Sequence, residues 1–181
     1  ALVLNRTTIN VGEGGTDTFT VSLAFDPVND LDVNVASSNP GLVGLSATDL
    51  TFTSGNYQQG QLITVTAGQD PDTADDTETI TVDSPETAAV NVTVEIADDD
   101  TQALVVSDTN VTFAEGANQV VGLSLAFDPL ADVSVTIVSD DTGAVTLTPA
   151  TLIFTSANYD QIQNVTLVGV QDADISDEVV I

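Results

Sequence analysis

The chain has 181 residues, enough for one or two domains, and carries 28 Asp and Glu against one basic residue, Arg6, for a formal net charge of −27. Such a polypeptide repels nucleic acid and anionic membrane surfaces and attracts cations. His, Cys and Lys are absent, which excludes Ser-His-Asp and Cys-His nucleophiles, Schiff bases, Lys–Asn crosslinks, disulfides and the usual zinc, copper, haem and iron–sulfur ligand sets; only oxygen donors remain.

Apolar and polar residues alternate with period two. Phe19, Val21, Leu23 and Phe25 share one parity, as do Val90, Val92, Val94 and Ile96. The pattern predicts strands with one buried and one solvated face, as in antiparallel sheets packed face to face. With 42% hydrophobic residues so ordered, a disordered chain is rejected. Seven strands are predicted in chain order, at 2–11 with a kink, 17–25, 31–37, 43–53 with a bend at Ser46-Ala47, 61–67, 77–83 and 88–97. The connections are short and rich in turn formers, such as Asp26-Pro27-Val28-Asn29-Asp30. Seven strands at this spacing predict an all-β, immunoglobulin-like antiparallel sandwich.

From Ala103 the pattern restarts at a fixed offset of 102 residues, with no insertion or deletion. Glu13-Gly14 recurs as Glu115-Gly116, Ala24-Phe25-Asp26-Pro27 as Ala126-Phe127-Asp128-Pro129, and Phe52-Thr53-Ser54 with Asn56-Tyr57 as Phe154-Thr155-Ser156 with Asn158-Tyr159. Asp70, Asp72 and Asp75 recur as Asp172, Asp174 and Asp177. Two tandem modules are therefore expected, a complete one over 1–100 and a second over 101–181 that stops opposite Thr79, inside its penultimate strand. The last strands are expected to be cleaved, disordered or donated by another chain. Ala1 is not a start Met and no signal, transmembrane or lipidation segment is visible, so the chain reads as a piece of a longer protein.

Counting chain reversals locates the acids. If every connection reverses direction, the turn with Glu13, the 38–42 loop, the loop with Asp70, Asp72, Asp75 and Asp76, and the exit at Asp98-Asp99-Asp100 share one pole, with Glu78 just inside its strand. Like charges about 4 Å apart repel by about 1 kcal/mol in water and several-fold more when partly buried. A hard divalent cation taking six to eight oxygen ligands removes that repulsion, and Ca²⁺ accepts the flexible geometry of loops better than Mg²⁺ does.

These residues resemble the Calx-β family, the calcium-binding sandwich repeat of sodium–calcium exchangers, integrin β4 and large bacterial surface proteins. The carriers are Val11-Gly12-Glu13-Gly14-Gly15-Thr16, Leu50-Thr51-Phe52, the stretch from Asp70-Pro71-Asp72 to Asp75-Asp76-Thr77-Glu78, and Ile96-Ala97-Asp98-Asp99-Asp100. The resemblance implies that Glu13, Asp70, Asp75, Glu78, Asp98, Asp99 and Asp100 are Ca²⁺ ligands. Family members often carry an acid near 37–41, where this chain has Ser37-Ser38-Asn39-Pro40-Gly41; the second copy has Asp140 and Asp141 there but Val180 opposite Glu78. A fuller site is expected in the first copy, and a weaker one at Glu115, Asp140, Asp141, Asp172, Asp174 and Asp177.

The expected function is a non-enzymatic, Ca²⁺-binding structural or adhesive repeat of a secreted or cell-surface protein, with the ion stiffening the junction between modules. Expected partners are adjacent repeats, and further subunits of a filament or a surface glycan or protein; nucleic acid and membrane insertion are not expected. The alternatives are a glycan- or protein-recognition module, or a filament subunit completed by a neighbour's strand. Without Trp, and with Tyr57 and Tyr159 at equivalent loop positions, the tyrosines read as packing residues before sugar platforms. Two carboxylates could serve a glycosidase, but these lie in surface loops without a cleft.

Overall fold

Period-two patterning yields strands throughout, and no helix forms among the described residues of the computed structural model, which are 1–171, 173 and 180. The chain divides into two compact units, Ala1–Asp70 with Ala74–Asp99, and Asp100–Ile181 with Pro71–Thr73.

In the first unit, β1 (Leu2–Leu4), β3 (Thr16–Leu23), β7 (Gln61–Ala67) and β5 (Val43–Leu45) form one sheet in the order β1-β3-β7-β5. The facing sheet has the order β2-β9-β8-β4-β6, from β2 (Thr8–Gly12), β9 (Thr87–Ala97), β8 (Asp76–Ser84), β4 (Leu31–Ser37) and β6 (Asp49–Phe52). The predicted first and fourth strands are thus each two strands in different sheets. The kink at Asn5-Arg6-Thr7 and the bend at Ser46-Ala47-Thr48 are where the backbone crosses from one sheet to the other. One pairing departs from the antiparallel expectation: β2 runs parallel to β9, with Thr8 opposite Thr93 and Gly12 opposite Ala97. The crossover after β1 carries the chain to the far sheet without reversing it, so β2 joins the last strand in parallel.

Inner-face residues of both sheets form the core, with Phe19, Val21, Ile63 and Val65 facing Ile9, Val33, Val35, Phe52, Ile80, Val82, Val92 and Val94, all fully buried. Burying a side chain of this size stabilises by about 1.5–3 kcal/mol. Phe25 breaks the parity rule and is 74% exposed. β3 ends at Leu23, and the chain then turns through Val28, whose φ of 65° is unusual for a β-branched residue. The Val28 N–H donates to Asp26 Oδ1 at 2.9 Å, and the Asn29 N–H to the Pro27 carbonyl at 2.7 Å. The second copy repeats this turn at Leu130, with φ 58° and its N–H 2.9 Å from Asp128 Oδ1.

The second unit has the sheet β10-β11-β15-β13, built from β10 (Leu104–Val106), β11 (Asn118–Leu125), β15 (Gln163–Gly169) and β13 (Val145–Thr148). Among the described residues its facing sheet is β12 (Val133–Thr136) with β14 (Thr151–Phe154). Val121, Leu123, Leu125 and Val165 pack on Leu152 and Phe154. The Asn56 and Asn158 turns explain one repeated motif. Each side-chain carbonyl accepts from the N–H of Thr53 or Thr155 at 2.7 Å, which closes the corner that seats Tyr57 or Tyr159 against its core.

Candidate metal centre

The turn between β2 and β3 places Glu13. Its N–H donates to the Ala97 carbonyl at 3.0 Å, fixing it to the end of β9, while the Ala67 N–H reaches the Gly15 carbonyl at 3.0 Å from the end of β7. Gly14 between them has φ +65°, a conformation that side chains disfavour. Three strand ends are thereby gathered. Carboxylate oxygens of Glu13, Asp70 and Asp98 all lie within 4.8 Å of one another.

The three come from segments far apart in sequence, and the cluster is partly sealed. Glu13 is only 8% exposed, and Glu13 Oε2 and Asp98 Oδ2 are shut off from solvent. Two oxygens bound to one Ca²⁺, each about 2.4 Å from it, are at most about 4.8 Å apart. The spacing meets that limit, and the hard all-oxygen donor set is of the kind such an ion takes.

The remaining expected ligands of the first copy take other places. Asp75 Oδ1 accepts from the Asp98 N–H at 2.9 Å and so holds the exit of β9 against the loop before β8. Asp99 accepts from Gln69 Nε2 at 3.2 Å. Glu78 lies outside the three-carboxylate group; Ser38 Oγ donates to its Oε2, and Asn39 Nδ2 to its Oε1 at 3.1 Å. Asp72 and Asp100 are half-buried and also outside the group.

In the second copy only the Glu115 corner of the corresponding centre lies among the described residues. Glu115 is exposed, and Gln171 Nε2 donates to its Oε2 at 3.5 Å. Asp141 Oδ1 accepts from the Gly143 N–H at 2.8 Å, so this acid shapes its own turn. Asp140 is exposed, and Asp172, Asp174 and Asp177 lie outside the described residues.

Reading the acids alone missed Gln69. Its side chain lies over Gly14, where an added Cβ would stand 3.4 Å from Nε2, and Gln171 covers Gly116 in the same way at 3.5 Å from Cγ. The signal was available, because Gln69-Asp70 recurs as Gln171-Asp172. The lone cation is committed elsewhere. Arg6 bonds Asp17 and the Thr18 carbonyl, and this guanidinium, helped by the Thr18 N–H, holds the Asp17 carboxyl below its usual range.

An open groove of about 470 Å³ runs along β2, β8 and β9, lined by Asn10, Asp75, Asp76, Thr77 and Glu95 among others. Its lining holds no aromatic ring, so it offers a sugar no stacking platform.

No family model matches the sequence, and no curated protein matches it. Solved structures with a partial likeness include the Class 5 fimbriae chaperone CfaA, 7% identical over 100% of this chain and 97% of that one, with a TM-score of 0.44. A second is the Salmonella enterica SafA pilin in complex with the SafB chaperone, 12% identical over 93% of this chain and 84% of that one, TM-score 0.44. A Bacteroides ovatus GH5 xyloglucanase is 14% identical over 54% of this chain, which spans only 19% of the enzyme's length, with a TM-score of 0.43. At TM-scores below 0.5 and identities of 7–14%, none of these likenesses bears on binding or catalysis.

Proposed function

We propose that the chain is a calcium-binding, non-enzymatic repeat of the Calx-β type, serving as a structural or adhesive segment of a secreted or surface protein. One observation carries the reading: Glu13, Asp70 and Asp98, from three strand ends, bring carboxylate oxygens within 4.8 Å at a partly sealed place. Left without a cation, three such charges repel one another strongly. Ca²⁺ would be held by these carboxylates, and it supplies charge neutralisation and a rigid link among the ends of β2, β7 and β9. Stiffening there reaches Asp98-Asp99-Asp100, where the polypeptide leaves β9 toward the next repeat. Affinity of about 10⁻⁴ to 10⁻³ M is expected for an extracellular module. Low-salt calorimetry should detect calcium association with wild type and none with Asp98→Asn; no heat with wild type removes the reading.

A second reading, recognition of a protein partner, is favoured by a different observation. Phe25 and Val28 at one turn are 74% and 80% exposed, and Leu130 at the repeated turn is 55% exposed. Singly exposed apolar residues are ordinary, but exposure recurs at Val28 and Leu130 on the same strained turn, while Phe127, the equivalent of Phe25, is half-buried. Phe25→Ser with Val28→Ser should leave calcium binding intact and abolish attachment to cells or filaments; unchanged attachment removes this reading.

A further inference from the structure

The two copies differ at three places in matched sets, and in the first unit the members of each set meet in the fold. The first set is steric. Thr20 on β3 stands against Gly60 just before β7, and a Cβ at Gly60 would lie 3.1 Å from Thr20 Cβ. In the second copy large and small have changed sides. Gly122 on β11 faces Ile162, whose Cγ2 fills the space 2.5 Å from where a Gly122 Cβ would stand.

The second set is ionic. Arg6 binds Asp17 in the first unit, and the equivalents are Asp108 and Gln119, so the ion pair is gone and an acid stands in the place of the cation. The third set is a hydrogen-bonded acid. Ser38 and Asn39 donate to Glu78, whereas the equivalents Asp140 and Asp141 are acids and Glu78 has become Val180.

Crossing the copies spoils every set. β3 paired with β15 would put Thr20 against Ile162, at a place where even a single added carbon is already tight. Asp17 would meet Asp108, and Glu78 would face Asp140 and Asp141, in each case like charge on like charge. β11 paired with β7 would set Gly122 against Gly60 and leave the sheet surface bare there.

Tandem repeats of equal loop length are prone to exchange strands during folding, because the wrong partner is tethered close by and has the right shape. We propose that these matched replacements keep the strands of one repeat from pairing with those of its neighbour. The steric set is complementary within both copies and the two polar sets within the first, and every set has at least one crossed pairing that is antagonistic.

The test is refolding of the full chain from urea in chelator, with the misassembled fraction measured by the amplitude of slow refolding and by size-exclusion chromatography. Two variants erase the steric difference from opposite sides: Thr20→Gly with Gly60→Ile, and Gly122→Thr with Ile162→Gly. Both keep a large–small pair inside every copy. An overpacked contact of ordinary size shifts such a partition by at least about fivefold, so each variant should misassemble about fivefold more than wild type at an unchanged unfolding midpoint. A wild-type misassembled fraction in the variants that fold overturns the proposal, and if only one folds it decides alone. Gly122→Thr by itself should destabilise the second unit; wild-type stability in that variant overturns the steric premise.

Discussion

The two units share a sequence pattern but differ in how thoroughly the same positions are buried. Val33 and Val35 of β4 are fully buried between β8, β6 and the opposite sheet, whereas their equivalents Val135 and Ile137 are only half-buried. Among the described residues β12 pairs with β14 alone. Likewise Ile9 and Val11 of β2 are buried beside β9, while Val111 and Phe113 are half-buried and form no strand. The lesson is that an alternating segment becomes a buried strand only when a partner strand is beside it.

The hardest push on that comparison comes from the equivalent core phenylalanines. Phe52 and Phe154 are both fully buried. Phe52→Ala should cost about 3–5 kcal/mol in urea unfolding followed by circular dichroism. Phe154→Ala should cost less, since its less enclosed surroundings can collapse into the hole; equal losses would contradict the contrast drawn between the cores. Next comes the metal. With calcium a hundredfold above its dissociation constant, the first unit should gain about 2.7 kcal/mol, or roughly 10 °C or more in melting temperature. Glu13→Gln should abolish that gain and Glu115→Gln should leave it; scanning calorimetry with calcium and with chelator reads both.

Glycine sharpens the comparison further. Gly14 and Gly116 share a positive φ of 65° and 66°, so alanine at either should destabilise its unit by about 1 kcal/mol or slightly more. Only Gly14→Ala should also weaken the calcium response, because it strains the turn that positions Glu13. The smallest effect is acidic. Asp17 has its carboxyl lowered by Arg6, so its contribution is complete above the ordinary carboxylate range and fades as pH falls through its own lower value. Arg6→Ala should flatten the pH dependence of the first unit's stability below about pH 4. The second unit, with Asp108 and Gln119 in those places, should not respond.

Much of the sandwich was legible in the sequence because period-two alternation is imposed by the pleat itself. Strand reversals likewise placed Glu13, Asp70 and Asp98 at one end before any geometry was known. What alternation could not show was which sheet a strand joins. The kink before Thr8 and the bend at Ser46-Ala47 are visible as irregularities, but their meaning as crossovers depends on partners distant in the chain. Phe25 was misplaced for a related reason: parity persists on paper after the hydrogen-bonded ladder has ended. Within the acid set, the sequence does not distinguish Asp98, which joins the cluster, from Asp75, which accepts the Asp98 N–H, or from Glu78, engaged by Ser38 and Asn39.

The parallel pairing of β2 with β9 has a mechanical consequence. Tension entering near Ala1 and leaving at Asp98 would pull these strands past each other along their length. The ladder from Thr8–Thr93 to Gly12–Ala97 would then be loaded all at once and could not be peeled open bond by bond. A module tied in this manner resists stretching through the slowness of its rupture, whatever its equilibrium stability.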